Sequence, residues 1–117
     1  MIDFTITGVE PLPKQSFRYS KRGGYTDPRI KAWQNEVAWM AREAMVGKDI
    51  LTGDLRVDII FTRSNRIRCD LDNLSKAVLD AMNKIVYDDD KTVTELHLYK
   101  RFDEVPGLYV RVEEMRS

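Results

Sequence analysis

The chain has 117 residues, enough for one hydrophobic core and too few for two ordinary domains, so we expect a single domain over residues 1–117. Apolar residues make up 43% of the chain and charged residues 32%, and no apolar run reaches the roughly 20 residues of a membrane span. The N-terminus lacks the pattern of an export signal, and the single cysteine, Cys69, cannot form an internal disulfide. These features predict a cytoplasmic protein that does not enter a membrane.

Over residues 2–7, apolar and polar residues alternate as they do in a half-buried strand. Residues 11–25 combine prolines, paired glycines, aromatic residues and bases without periodicity, which predicts a long loop. Asp27 and Pro28 then predict the start of a helix, because the first can cap free amides and the second suits the first helical position. Apolar residues recur at spacings of three and four, and Gly47 is a plausible end for this helix.

The second half of the chain predicts a strand, a helix and two further strands. Residues 55–62 alternate as a second strand, and an apolar stripe indicates a second helix from about residue 72 to about residue 86. Two more alternating runs lie within residues 96–113, and the turn at 104–107 between them predicts a hairpin. The order β-α-β-α-β-β favours an α/β (α+β) fold in which two helices pack on one mixed sheet.

The formal net charge is zero, but the charges are unevenly distributed along the chain. Residues 14–34 and 63–68 are rich in bases and poor in acids, which is what a phosphate-binding surface beside an acidic site requires. A basic loop on its own is more often solvated surface. The residues that we expect to bind DNA are Lys14, Arg18, Lys21, Arg22, Arg66 and Arg68.

Two carboxylates stand side by side at the predicted start of the second helix, Asp70 just before it and Asp72 at its first residue. One of them is explained as a helix cap, which is worth about 1 kcal/mol and needs no metal. The second is not, because two carboxylates about 5 Å apart repel by roughly 3 kcal/mol at an effective dielectric near 20. The pair therefore indicates a cation between the two side chains.

Lys76 follows Asp72 by four residues and shares its face of the predicted helix. This spacing fits an ordinary surface ion pair, and it fits equally an ammonium that stabilises charge on a metal-bound phosphate. Both interpretations remain open from the residues alone. Asp80, one further turn along, is expected to pair with Lys76 and to support the site rather than to bind a metal.

Three consecutive acids, Asp88, Asp89 and Asp90, follow the helix at its negative end, where acidic residues are unfavourable. A solvated turn is the simplest explanation. If the chain folds back antiparallel after the helix, however, Asp89 or Asp90 approaches Asp70 and three carboxylates converge. Such an all-oxygen site favours Mg²⁺ or Mn²⁺ over zinc. Neither an EF-hand spacing nor a glycine-rich phosphate loop is present in the sequence.

These residues resemble the RusA-like Holliday-junction resolvases, a family of small bacterial and phage endonucleases. The resemblance rests on Asp70-Leu71-Asp72-Asn73-Leu74, Lys76, Asp80 and Asp89-Asp90 with Val93, and it extends to Pro11-Leu12-Pro13-Lys14, Arg18 and the helix of Trp33. It therefore covers nearly the whole chain.

The resemblance implies a homodimer with a Mg²⁺-dependent active site in each subunit, Mn²⁺ being a possible substitute, and a substrate of four-way or otherwise branched DNA. The family's catalytic, metal-binding aspartates correspond to Asp70, Asp72 and Asp90, and its essential lysine corresponds to Lys76. Asp89 is the alternative third acid, because this chain has a triplet where the family has an apolar residue before its acidic pair. A C2 dimer would present one site to each of two opposed strands of the junction.

Two other functions remain open at this point. One is a related Mg²⁺-dependent nuclease that acts on forks or flaps, and the other is a non-catalytic DNA-binding module whose acids are only caps and solvated turns. The aromatic residues of the first loop, Phe17, Tyr19 and Tyr25, are candidates for a wedge at the junction crossover.

Overall fold

The computed structural model describes residues 1–14, 27–66 and 68–115. Its elements in chain order are β1 (Ile2–Thr7), α1 (Pro28–Ala44), β2 (Leu55–Arg63), α2 (Leu71–Met82), a 3-10 turn (Asp90–Thr92), β3 (Val93–Phe102) and β4 (Gly107–Glu114). The predicted order of helices and strands is confirmed. The DNA-binding candidates Arg18, Lys21 and Arg22 and the wedge candidates Phe17, Tyr19 and Tyr25 lie outside the described residues.

The four strands form one mixed sheet in the spatial order β1-β4-β2-β3. Strand β4 is antiparallel to both β1 and β2, whereas β3 is parallel to β2. The predicted hairpin of the last two strands is therefore wrong, because β4 lies on the opposite side of β2 from β3. In this central position, Leu108, Val110 and Val112 are at most 2% exposed. The choice of strand partners is made over long distances along the chain, which the local alternation does not report.

The core lies between one face of the sheet and the two helices. Alternate residues of β1, β2 and β4 point into it, as the period-two pattern predicts. Helix α1 begins where predicted, since the Asp27 carboxylate accepts a hydrogen bond from the Arg29 N–H at 2.8 Å. It buries Trp33, Val37 and Ala41 on its inner face. None of the described helices is long and apolar enough to span a membrane.

Helix α2 ends at Met82, four residues earlier than the apolar pattern predicts. The chain turns at Lys84, whose φ of 68° lies in the left-handed region. Val86 and Tyr87 continue the apolar stripe without helical geometry, and both are fully buried. The Tyr87 hydroxyl donates to the Leu79 carbonyl oxygen at 2.8 Å, and burial raises the pKa of this hydroxyl. The short helix and this buried turn bring the chain back beneath the sheet before β3.

Gly107 begins β4 where β4 pairs closely with β1. A Cβ at this position would lie 2.6 Å from the Ile6 carbonyl oxygen, so Gly107→Ala forces a backbone shift. We expect this substitution to lower the free energy of unfolding by roughly 1–3 kcal/mol, measured by urea denaturation. Thr7→Ala, at the exposed residue facing Gly107, is the control and should change stability by less than about 0.5 kcal/mol. An unchanged midpoint for Gly107→Ala would contradict the close approach.

Candidate active site

Asp70 occupies the N-cap position of α2, but its side chain makes no capping hydrogen bond. Only its backbone carbonyl takes part, accepting the Leu74 N–H at 3.0 Å. Asp72 lies in the first helical turn, and both residues are exposed. Helix capping therefore does not account for the presence of either carboxylate at this position. Both lie at the positive end of the helix dipole. Two exposed carboxylates fit a hard cation such as Mg²⁺, which proteins commonly hold through one or two carboxylates, with water and substrate phosphates completing the shell.

The expected ion pair between Asp80 and Lys76 does not form. Asp80 instead pairs with Lys14, with 2.6 Å between Oδ2 and Nζ. The Lys14 N–H donates to the Asn73 carbonyl oxygen at 2.9 Å, and this hydrogen bond holds Lys14 beside α2, within reach of Asp80. Lys76 is exposed and makes no ion pair within the described part of the chain. Its ammonium is therefore available to an anion near Asp72.

Two contacts fix the start of α2 to the end of β3. The Lys100 ammonium donates to the Cys69 carbonyl oxygen at 2.9 Å, and the Arg66 guanidinium lies over the Phe102 ring, 4.6 Å from its centroid. Arg66 and Arg68 are both exposed. Two of the predicted DNA-binding residues therefore lie on the short segment that leads into Asp70.

Arg63, the first base of the same basic stretch, has a different role. Its side chain is buried, with its Nε 3.4 Å from a Glu10 carboxylate oxygen, and it donates to the Pro11 carbonyl oxygen at 3.0 Å. It joins β2 to the segment after β1, and the sequence analysis did not separate it from its exposed neighbours. The signal was its place in the alternation of β2, whose residue 63 points inward with 57, 59 and 61.

Asp90 lies at the other end of α2. Because β3 is parallel to β2, its first residue, Val93, faces Leu55 at the beginning of β2. The expectation that the chain returns antiparallel and brings Asp90 to Asp70 is therefore wrong. Helix α2 has 12 residues and separates the two groups by about 18 Å of helix axis. Within residues 1–14, 27–66 and 68–115, no group of three or more His, Cys, Asp and Glu side chains is placed to hold a metal ion.

The two acids before β3 have opposite electrostatics. The Asp89 carboxylate accepts the Lys91 N–H at 2.9 Å, and this hydrogen bond lowers the pKa of Asp89. Burial, the adjoining Asp89 carboxyl and the charge of Asp80 together raise the pKa of Asp90. The Asp90 backbone N–H is held by the Asn83 side-chain oxygen at 3.0 Å, a contact that the sequence analysis missed. Asp89 is engaged as a cap, whereas Asp90 carries a charge that its surroundings disfavour.

Comparison with known proteins decides the family. The family model described as Endodeoxyribonuclease RusA matches residues 8–113. The chain belongs to the RusA endodeoxyribonuclease family. It is 29% identical over 111 residues to the "Crossover junction endodeoxyribonuclease RusA" of Aquifex aeolicus (strain VF5), covering 92% of this chain and 87% of that protein. It is also 30% identical over 141 aligned residues to the "Uncharacterized protein YqaN" of Bacillus subtilis (strain 168), covering 99% and 98%.

Membership of the RusA family confirms the resemblance drawn from Asp70-Leu71-Asp72-Asn73-Leu74 and its neighbours. It also confirms the enzyme class, a nuclease that hydrolyses DNA, and RusA nucleases as a group depend on a divalent metal ion. The matched residues contain α2 and the acids at both of its ends.

Replacing Asp90 should make the protein more stable. Its raised pKa means that the fold favours the protonated carboxyl, so the ionised carboxylate present at neutral pH destabilises the folded state. We expect Asp90→Asn to raise Tm by about 1–3 °C at pH 7, the effect of a few tenths of a kcal/mol in a domain of this size. The gain should shrink as the pH is lowered far enough to protonate Asp90 itself.

The neighbouring residue provides the control for this measurement. The pKa of Asp89 is lowered, so its ionised form stabilises the fold and Asp89→Asn should lower Tm or leave it unchanged. Thermal unfolding of both variants without divalent metal measures the difference. An equal rise in Tm for the two variants would show a general effect of net charge and would contradict the assignment to Asp90.

Proposed function

We propose that this chain is a Holliday-junction resolvase, a metal-dependent endonuclease that cuts two opposed strands of a four-way DNA junction. The observation that carries the proposal is the group at the start of α2. Asp70 and Asp72 are exposed and Asp70 makes no capping hydrogen bond, and Lys76, one turn further on, has no ion-pair partner among the described residues. The name of the Aquifex relative supports branched DNA as the substrate. We also propose a cytoplasmic location, in keeping with a substrate formed during DNA recombination and repair.

Asp70 and Asp72 hold the metal in this proposal, with Mg²⁺ as the ion and Mn²⁺ as a possible substitute. When bound, such an ion polarises the scissile phosphate and lowers the pKa of a bound water. Lys76 lies on the Asp72 face of α2 and stabilises negative charge that develops on the phosphate. The helix N-terminus adds partial positive charge at the same place.

Asp90 is the third acid, and we assign it to the opposite subunit. Within one chain, α2 keeps Asp90 about 18 Å of helix axis away from Asp70. In a C2 dimer whose α2 helices run antiparallel side by side, the Asp90 end of one helix lies beside the Asp70 end of the other. Each of the two sites then uses Asp70, Asp72 and Lys76 from one subunit and Asp90 from its partner. The charge that destabilises Asp90 in one chain would be neutralised by the shared cation.

DNA contacts are proposed for the bases around this site. Arg66 and Arg68 are exposed beside the start of α2. Arg18, Lys21 and Arg22 lie outside the described residues and remain candidates from the sequence. Lys14 is a weaker candidate than the sequence indicates, because its ammonium is already held by Asp80. A phosphate near Lys14 would share that ammonium with the carboxylate. In this proposal the basic side chains supply the sequence-independent part of the affinity through contacts with phosphates.

Asp70→Asn should separate cleavage from binding. We expect the rate of junction cleavage in Mg²⁺ to fall about 100-fold or more, because a metal ligand is lost. Junction affinity, measured by gel shift in Ca²⁺, should stay within about twofold, since the basic residues are intact. Asp27→Ala is the control, with cleavage unchanged, because this acid caps α1 and pairs with the Arg29 guanidinium away from the start of α2.

The same assay distinguishes the other functions. Four-way junction, fork, flap and linear duplex of matched sequence are cut in parallel, and faster cleavage of fork or flap than of junction would indicate the related nuclease. No cleavage of any substrate by the wild-type chain in Mg²⁺ or Mn²⁺ would indicate the non-catalytic module. Unchanged cleavage by Asp70→Asn would remove this carboxylate from the site.

Mixing two inactive variants tests whether each site is shared between subunits. A heterodimer of an Asp70→Asn chain with an Asp90→Asn chain has one site with both substitutions and one site with none. We expect the mixture to nick junctions on one strand at up to about half of the wild-type rate per dimer that forms, while each variant alone stays inactive. If each site lies within one chain, every site in the mixture carries a substitution and no activity returns.

A further inference from the structure

The segment after β1 is tied to the end of β2 by contacts around one acid, Glu10. Its carboxylate accepts hydrogen bonds from the Ser64 N–H at 3.1 and 3.2 Å and from the Ser64 hydroxyl at 2.7 Å. One carboxylate oxygen also lies 3.4 Å from Nε of Arg63. Glu10 and Ser64 are 54 positions apart in the sequence, so these contacts fix two distant segments against each other.

The Arg63 guanidinium extends these contacts in two further directions. Its Nη1 donates to the Pro11 carbonyl oxygen at 3.0 Å, and its Nη2 donates to the Asn65 side-chain oxygen at 3.0 Å. A guanidinium is planar and holds its donors in a fixed fork, so the contacts define an angle as well as a distance. Arg63 therefore holds both the segment after β1 and the residues that directly follow β2.

The burial of Arg63 is not explained by the stability of the fold. Its side chain is only 6% exposed, at an inward position of β2 whose other inward residues are all apolar. An apolar residue at this position would complete the alternation, and replacing a buried ion pair with well-packed apolar side chains is often neutral or stabilising. What the ion pair with Glu10 adds is a defined geometry between the two segments.

The residues that follow Arg63 lead directly to the start of α2. Arg66 and Arg68 are exposed and lie between two fixed points of the chain. The first fixed point is Arg63, and the second is Cys69, whose carbonyl oxygen accepts a hydrogen bond from the Lys100 ammonium at 2.9 Å. Side chains whose backbone is held in place before binding lose less conformational entropy when they contact a ligand.

We propose that Glu10 and Arg63 are positioning residues for DNA, which hold Arg66 and Arg68 where both arginines contact phosphates of the strand bound at the start of α2. This inference rests on the proposed function and adds two residues to it. Glu10 and Arg63 are engaged with each other and with the chain, so they act through the two exposed arginines. Without the pair, Arg66 and Arg68 keep their charges but lose their fixed place, and the affinity for a junction falls.

Replacing the pair by uncharged residues separates positioning from stability. The double variant Glu10→Gln with Arg63→Met leaves the net charge of the chain unchanged, and we expect its Tm to stay within about 3 °C of the wild type. Its junction affinity, measured by gel shift in Ca²⁺, should fall about fivefold or more. In Mg²⁺ the loss should appear in KM, with kcat within about twofold, because no proposed metal ligand is changed. Arg63→Lys keeps the charge and loses the fork, and it should weaken binding in the same way if the double variant does not fold.

A double-mutant cycle tests whether the pair acts through the two arginines. In the wild-type background, Arg66→Ala with Arg68→Ala should weaken junction binding about tenfold or more, because two phosphate contacts are lost. In the background without the Glu10–Arg63 pair, the same two changes should weaken binding only about twofold further. Losses that combine independently would show a merely structural effect of the pair and would overturn the proposal.

Another ion pair of β2 provides the matched control. Arg56 and Asp58 pair at 3.3 Å on the face of the sheet away from the helices. Arg56→Met with Asp58→Asn makes the same kind of change without altering the net charge, and it should leave junction affinity and the effect of the two arginines as in the wild type. An equal loss of affinity in this control would overturn the proposal.

The outcomes also separate this inference from the proposed function. Junction cleavage by the wild type, together with independent losses in the cycle, would leave the resolvase standing and remove the positioning role of Glu10 and Arg63. Coupled losses in a chain that binds junctions but cuts no DNA would leave the positioning role standing and remove the nuclease.

Discussion

The parallel pairing of β2 with β3 is the constraint on which the arrangement of this molecule depends. Two parallel strands need a crossover, and here the crossover is α2, which must return along the sheet before β3 begins. Its two ends therefore lie at opposite ends of the strands. Because the acidic groups flank α2, one at each end, the topology rather than any local feature keeps Asp70 away from Asp90. A single chain with this sheet cannot gather the three acids.

The helix dipole makes the two acidic groups unequal. Asp70 and Asp72 lie at the positive end of α2, where a carboxylate is favourable even without a cation. Asp90 lies beyond the negative end, near Asp80 and Asp89, and its ionised form is disfavoured there. The Asp90 carboxylate is therefore a charged group that the folded chain does not stabilise. Destabilising groups of this kind concentrate where proteins act on ligands, because the ligand supplies the missing partner.

Features that depend on neighbouring residues could be predicted from the sequence. The alternation in β1 and β2 and the cap at Asp27 were visible in the sequence because burial on one face and unsatisfied amides act within a few residues. Strand partners are chosen over long distances, so the position of β4 between β1 and β2 was missed. For the same reason, the sequence analysis wrongly expected the chain to return antiparallel after α2 and to bring Asp90 close to Asp70. The Lys14 to Asp80 pair was hidden for a related reason, since 66 residues separate its members.

The proposed site is divided between the two ends of α2, and in the proposed C2 dimer each α2 would lie beside a second α2 of opposite direction. The substrate imposes the same symmetry, since a four-way junction offers two equivalent strands related by a two-fold axis. If catalysis needed only the Asp70 and Asp72 pair, one chain could nick DNA alone and resolution would depend on two independent encounters. In the proposed dimer, by contrast, sharing Asp90 across the axis would couple metal binding to dimer formation, and a lone subunit would lack the third acid needed to cut one strand without its partner at the other.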